Sequence, residues 1–357
     1  MNARERVIAA MEHRPVDRVP VFPVVTAYLA SRVLRRQYQD FVLEPFLIYE
    51  ALKALHQEFG FDGFEVGLGP RRDAVKPRVK EIDGQRYLVD AEEKLVAKLQ
   101  EDDAPVSLET RPRLANKSDL DSIKITPASK FIESGQTEPV TKLIRELDGS
   151  AFVAGVAAGQ TMNALAAWRG SDQAMFDLVD DPEFVHAVMT RATDQSIEVG
   201  KALIHAGVDG IYIGDAWASA SIISPRTYEE FCLPYHRKAA ETFQRLGAKV
   251  YLHICGNSNP ILHLMAQTGV DAIEPLDVDG GVKLETVRER AGERVALKGG
   301  VSTQLLWKGT PNEVYAEARR CLKILGSQGY ILGSADDIPR DTPFENIKAM
   351  VRTAKEA

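Results

Sequence analysis

A histidine and a cysteine stand two residues apart in the run from Lys249 to Asn259. Val250, Leu252 and Ile254 alternate there with Tyr251, His253 and Cys255. That is the period of a β-strand, so the imidazole and the thiol leave the same face. Gly256 and Asn257 break the strand just beyond, which places the pair at its C-terminal end. A neutral imidazole and a thiolate are good ligands for zinc. The same spacing also describes a core histidine beside a buried thiol, and the pair alone leaves both readings open.

The elements that must position the pair follow a regular order. Strand patterns occur at 19–25, 61–67, 152–157 and 210–215, then at the His/Cys strand, then at 271–276, 295–300 and 329–333. Helical patterns separate most of them. Ser224-Pro225 opens the helix before the fifth strand. Thr310-Pro311-Asn312-Glu313 is a capping box with proline at the first helical position, and Thr342-Pro343-Phe344-Glu345 repeats that signal. Eight strands alternating with helices predict an α/β fold, a (β/α)8 TIM barrel forming one domain over residues 1–357. An open doubly wound sheet would alternate as well, but no glycine-rich dinucleotide fingerprint follows the first strand. Asp83-Gly84, between two short strand patterns, predicts a β-hairpin inserted at about 78–100.

In such barrels the active site lies at the C-terminal ends of the strands. This sequence keeps Asp215, His253, Cys255, Glu274, Lys298, Asp336 and Asp337 there. Each has a plainer reading: Asp215 as a cap or turn residue, Lys298 as a salt bridge at the core edge. Their convergence on one rim predicts a site. Asp215 and Glu274 are its candidate catalytic groups, and Lys298 a candidate substrate contact. Tyr28, Trp168 and Trp217 are candidate aromatic walls for a small aromatic or thioether substrate.

Composition narrows the function classes. The 357 residues are 45% hydrophobic and 27% charged, ordinary for a soluble globular protein. A net charge of -7 without a basic tract argues against nucleic acid. No apolar run approaches a membrane span, and the charged N-terminus leads into a helical pattern rather than a signal peptide. Three cysteines, Cys232, Cys255 and Cys321, are too few for a disulfide scaffold and fit a reducing cytoplasm.

Several stretches resemble the uroporphyrinogen decarboxylase superfamily of (β/α)8 barrels, which includes the cobalamin-dependent methyltransferases. They are Pro15 to Val21, Gly214-Asp215-Ala216-Trp217, Ile223-Ser224-Pro225 with Tyr228 and Phe231, His253 to Asn257, Gly309 to Val314, and Asp341 to Ile347. The decarboxylase branch resembles a pattern with two arginines just after the first strand. No arginine lies between Arg18 and Arg32 here, so the carboxylates of a tetrapyrrole would lack guanidinium partners. The methyltransferase branch resembles His-x-Cys on the fifth strand with a third ligand, commonly Cys, after the eighth. His253 and Cys255 match, and the third position falls on Asp336, also a competent zinc ligand. Glu274 and Asp337 are alternative or additional ligands. Cys321, in helical register with Ala318 and Leu325, reads as core. The resemblance implies a Zn(II)-dependent methyltransferase, acting on a small methylated ether or thiol as in O-demethylation. It also implies a separate corrinoid protein carrying cobalamin, because the chain lacks an Asp-x-His-x-x-Gly motif. A metal-free uroporphyrinogen decarboxylase and a non-catalytic small-molecule-binding barrel are the alternatives.

Overall fold

The computed structural model describes residues 1–108 and 112–356. Strand β1 (Gly63–Val66) precedes an antiparallel insertion of β2 (Arg78–Ile82), β3 (Gln85–Val89), β4 (Leu95–Lys98) and β5 (Val106–Ser107). The chain then lays down β6 (Phe152–Val156), β7 (Gly210–Gly214), β8 (Lys249–His253), β9 (Ala272–Leu276), β10 (Ala296–Val301) and β11 (Tyr330–Ser334). β1 and β6 to β11 pair in chain order as one parallel seven-stranded sheet.

The first expected strand, 19–25, does not form a ladder. Pro20 and Pro23 lack the N–H that a ladder needs. The segment instead closes the circuit through isolated parallel bridges, Val21 to Leu332 and Val24 to Asp337. The Phe22 N–H donates to Leu332 O at 2.8 Å, and on the other side the Asp62 N–H donates to Val21 O at 2.7 Å. The result is a TIM-type barrel of seven ladder strands and one bridged segment.

Alternation along the strands sorts their side chains into two cores. Phe22, Phe152, Ala154, Tyr251, Ala272, Ala296 and Ile331 fill the barrel, plugged from below by Val7, Ala10 and Met11 of the helix Ala3–Met11. Ile211, Ile213, Val250, Leu252, Ile273, Leu297 and Leu332 face outward into the helical layer. Burying each large apolar side chain stabilises the fold by about 1.5–3 kcal/mol. The inward face runs on toward the C-terminal ends and finishes in polar groups: Glu65, Tyr212, His253, Glu274 and Lys298.

Asp83 and Gly84 turn the hairpin of the insertion with φ of +50° and +75°. β4 and β5 extend it to four strands, and Arg86 to Gln39 and Gln37 to Glu101 tie it to the barrel, each at 2.9 Å. Two helices, Ala128–Glu133 and Glu138–Leu147, precede β6 and are divided at Gly135, whose φ is +80°. Among the described residues no helix is long and apolar enough to cross a membrane.

Candidate active site at the barrel mouth

His253 closes β8 with its side chain inside the barrel. Its Nδ1 is hydrogen-bonded to Glu274 Oε1 at 3.0 Å, which leaves Nε2 facing Asp336 Oδ1 at 3.7 Å. Cys255 lies just past the strand end. Its loop is held by Asp277, which accepts the N–H groups of Gly256 and Gly280, each at 2.7 Å. Asp336 approaches from the loop after β11. One ligand atom from each of His253, Cys255 and Asp336 lies within 4.8 Å of the others. Tetrahedral zinc with bonds of about 2.0–2.3 Å sets ligand atoms roughly 3.3–3.8 Å apart, so a closure of about 1 Å suffices. Nitrogen, sulfur and oxygen donors on three separate loops or strands fit that ion.

A buried ion pair underlies the cluster. Lys298 Nζ contacts Glu274 Oε2 and stands 3.6 Å from Glu65 Oε1, while the Tyr251 hydroxyl donates to Glu65 Oε1 at 2.9 Å. The ammonium also sits 4.2 Å from the Phe22 ring centroid. A bulge builds this arrangement. Leu297 pairs with Ile273 and Gly299 with Leu276, so Glu274 and Pro275 together oppose Lys298. Glu274 thereby joins Lys298 to His253, as carboxylates behind metal-binding histidines commonly do.

Burial governs the protonation states. It pulls His253 below the ordinary imidazole value, so the ring is neutral. Burial, then Asp336 and Asp277, push the Cys255 thiol up to about 12, so it holds its proton when no cation is near. Burial lowers Lys298 to about 8 and raises Asp337 to about 7; in Asp337 a bond from the Thr26 hydroxyl works against the rise.

Other expected residues lie elsewhere. Lys298 is 1% exposed beneath Glu274, so it forms no substrate-facing surface, contrary to the sequence reading. Asp215 is fully buried, and both its oxygens are taken. Oδ1 accepts the Asn163 N–H at 2.7 Å; Oδ2 accepts from the Thr161 hydroxyl and meets His236 Nε2 at 3.0 Å. These bonds tie the loop after β6 to the helix Leu233–Arg245 and leave no free oxygen for chemistry. Trp168 and Trp217 line a cavity of about 730 Å³ together with Asn163, Gln195 and Ser196. No residue of the His253 cluster lines it, so Trp168 and Trp217 border a cavity apart from that cluster. Tyr28 stays at the rim, bonded to Asp103 and packed on Tyr38 with ring centroids 4.8 Å apart. Cys232 and Cys321 are buried. Sequence reasoning missed Glu65, Tyr212 and Asp277. The first two were signalled as polar inward positions among outward Phe64, Val66, Ile211 and Ile213; nothing local marked Asp277.

Comparison with known proteins bears on the family and the fold. A methylated-thiol–coenzyme M methyltransferase of Methanosarcina mazei is 35% identical over 177 residues, 49% of this chain and 46% of that protein. The chain thus spans about half the length of that relative. The methylcobamide:CoM methyltransferase MtbA of the same organism is 29% identical over 242 residues, 67% of this chain and 68% of its own. A uroporphyrinogen decarboxylase of Trichodesmium erythraeum is 27% identical over 177 residues, 49% of this chain and 48% of its own. The solved structure of a methyltransferase from Methanosarcina mazei shares the fold, with a TM-score of 0.77 at 23% identity over 100% of this chain and 99% of that one. The family profile of uroporphyrinogen decarboxylase (URO-D) matches residues 98–357, every barrel strand from β6 onward, and this chain belongs to that family.

Proposed function

We propose that the protein is a corrinoid-dependent methyltransferase. It moves a methyl group between a small thiol or ether and the cobalt of a separate corrinoid protein, with Zn(II) held by His253, Cys255 and Asp336. The observation that carries this reading is the approach of those three ligand atoms to within 4.8 Å at the C-terminal ends of the strands. The similarity to two corrinoid- or coenzyme-M-linked methyltransferases supports it. When bound, zinc supplies Lewis acidity toward the sulfur or oxygen of the substrate.

The chain's own residues do the rest. Glu274 accepts the Nδ1 proton of His253 and so fixes the tautomer that leaves Nε2 free. Lys298 pairs with the other oxygen of Glu274 and so helps to hold that carboxylate in place. Cys255 gives up its proton when a metal enters, and Asp277 holds the loop that sets its sulfur in place. Asp215 is a positioning residue for the loop after β6.

Decarboxylation of a polycarboxylated tetrapyrrole is the less supported reading. Arg18 is committed to Asp62 at the opposite end of the barrel, and Arg32 donates to the Arg340 and Thr342 carbonyls. Arg18 is thereby held away from the mouth, and one nitrogen of Arg32 is taken by backbone carbonyls.

The test is metal analysis of protein purified without a polyhistidine tag, with methyl transfer from methylcobalamin to small thiols. Zinc near one equivalent, lost in Cys255→Ala and retained in Asp336→Cys, is the expected result. Metal-free native protein, or full activity in Cys255→Ala, would overturn the zinc assignment. Micromolar binding of uroporphyrinogen would favour the decarboxylase.

A further inference from the structure

Among the described residues, no ionisable side chain lines the cavity of about 730 Å³ that Trp168 and Trp217 border. Small residues create its space. The helix Pro182–Ala206 presents Ala192, Gln195, Ser196 and Val199 to it, at the i, i+3, i+4, i+7 spacing of one face. Ala164 and Ala167 line it from the helix Met162–Arg169. A buried polar network fixes the Asn163 and Trp217 parts of the wall. Asp215 accepts the Asn163 N–H at 2.7 Å, and the Asn163 side-chain oxygen accepts the Trp217 N–H at 2.9 Å. Behind them, His236 links Asp215, at 3.0 Å, to the Tyr228 hydroxyl, at 3.1 Å, and all three side chains are fully buried. The groups left over are donors. Among the described residues, neither indole N–H nor the Asn163 side-chain N–H has an acceptor. Charged neighbours stay outside the wall: Arg169 pairs with Asp177 at 2.6 Å, Asp172 is exposed, and the Arg113 guanidinium lies 5.1 Å from the Trp168 ring centroid.

We infer that this cavity is a binding site for an uncharged planar aromatic molecule that carries hydrogen-bond acceptors, such as an aryl ketone or aryl ether. The inference goes beyond the methyltransferase reading and needs neither the metal-ligand cluster nor the corrinoid protein. The volume is that of a small-molecule site, and indole rings offer it large flat contact areas. A charged ligand would lose its water against a wall that supplies no counter-charge. The unpaired N–H groups regain hydrogen bonds only from acceptors, which sets the polarity of the ligand. The Asp215 network then has a use. Burying a carboxylate is costly, and here it holds Asn163 and Trp217 in place before a ligand arrives, which lowers the cost of ordering them on binding.

The test compares acetophenone, benzoate and benzylammonium, aromatic probes of similar size that differ in charge. Ligand-observed saturation-transfer NMR on the full chain needs neither bound metal nor turnover. Acetophenone should bind with a Kd on the order of 1 mM or below, and about tenfold or more tightly than either ion. Ala167→Phe, which adds a ring to the cavity from an exposed position of its helix, should weaken acetophenone about tenfold or more, and so should Trp217→Ala. Far-ultraviolet circular dichroism on each variant would establish that it is folded. Cys255→Ala should bind acetophenone as the parent does, because Cys255 does not line the cavity. A Kd for acetophenone above about 10 mM, or unchanged affinity in folded Ala167→Phe or Trp217→Ala, would overturn the inference. Equal or tighter binding of either ion would do the same, tighter benzoate by giving the cavity to Arg113 and an anion. Loss of acetophenone in Cys255→Ala would place the probe at the metal-ligand cluster and overturn it as well. Absence of zinc or of methyl transfer would count only against the activity proposed above.

Discussion

Replacing Lys298 by methionine leaves the shape of the barrel interior nearly intact and removes its one buried ammonium. Glu274 is fully buried, and among the described residues Lys298 is its only lysine or arginine partner. Glu65 stands 3.6 Å from the ammonium but keeps the Tyr251 hydroxyl, so most of the penalty falls on Glu274. Deleting one partner of a buried pair costs about 3–5 kcal/mol. The carboxyl can escape by taking a proton, and this sets a ceiling. Protonating a glutamate of ordinary pKa costs about 4 kcal/mol at pH 7 and about 1 kcal/mol at pH 5. Lys298→Met should therefore destabilise the metal-free protein by about 3–4 kcal/mol at pH 7 and by only about 1 kcal/mol at pH 5. Urea unfolding followed by circular dichroism at the two pH values measures both. A second consequence is local. Protonated Glu274 no longer offers His253 a charged acceptor, so zinc affinity should fall roughly 10–100-fold, read by competition with a chromogenic chelator. A loss below about 1 kcal/mol at pH 7, or one that does not shrink at pH 5, would refute the claim that Lys298 neutralises Glu274.

Three further outcomes follow from the same geometry. Because the Cys255 thiol is held up to about 12 and His253 is already neutral, zinc must displace one proton, from Cys255; apparent zinc affinity should rise about tenfold per pH unit between pH 7 and 9, and a flat profile would remove Cys255 from the ligand set. Asp337 is raised to about 7, so its protonated form favours the folded state below the ordinary carboxylate value, and that contribution is lost as pH climbs toward 7. Asp337→Asn should therefore gain stability relative to the parent as pH rises from about 4 to 7, measured on metal-free protein by chemical unfolding. Asp215→Ala leaves His236 and the Asn163 N–H without their acceptor, and should cost about 3 kcal/mol of stability while leaving zinc stoichiometry unchanged; loss of zinc without loss of stability would return Asp215 to the site.

The sequence is most legible where a strict two-residue period survives to the end of a strand. His253 and Cys255 stay in phase with inward Tyr251, and the structure brings both to the mouth. The same rule, carried one strand back, separates Asp215 from them. Ile211 and Ile213 face the helices while Tyr212 faces the barrel, so residue 215 falls in the outward phase. Its partners, Thr161 and His236, belong to the helical layer. Nearness to a strand end had grouped Asp215 with the cluster, although parity places it on the other side of the sheet. Lys298 shows the complementary failure. Its phase is inward, as a site residue requires, but the bulge opposite it brings Glu274 alongside and closes it off from solvent. Alternation reports the face of a sheet and not the depth below its rim. Depth is set by cross-strand register and bulges, which depend on residues in neighbouring strands. The first strand slipped for a third reason: Pro20 and Pro23 allow an extended chain but withhold two ladder donors, so pattern and pairing part company there. Asp277 and the Tyr28–Tyr38 pair belong to loops and to the start of short helices, where no period applies. Only the folded arrangement shows that Asp277 holds the Cys255 loop and that the rings of Tyr28 and Tyr38 pack together, which no pattern in the sequence is able to reveal.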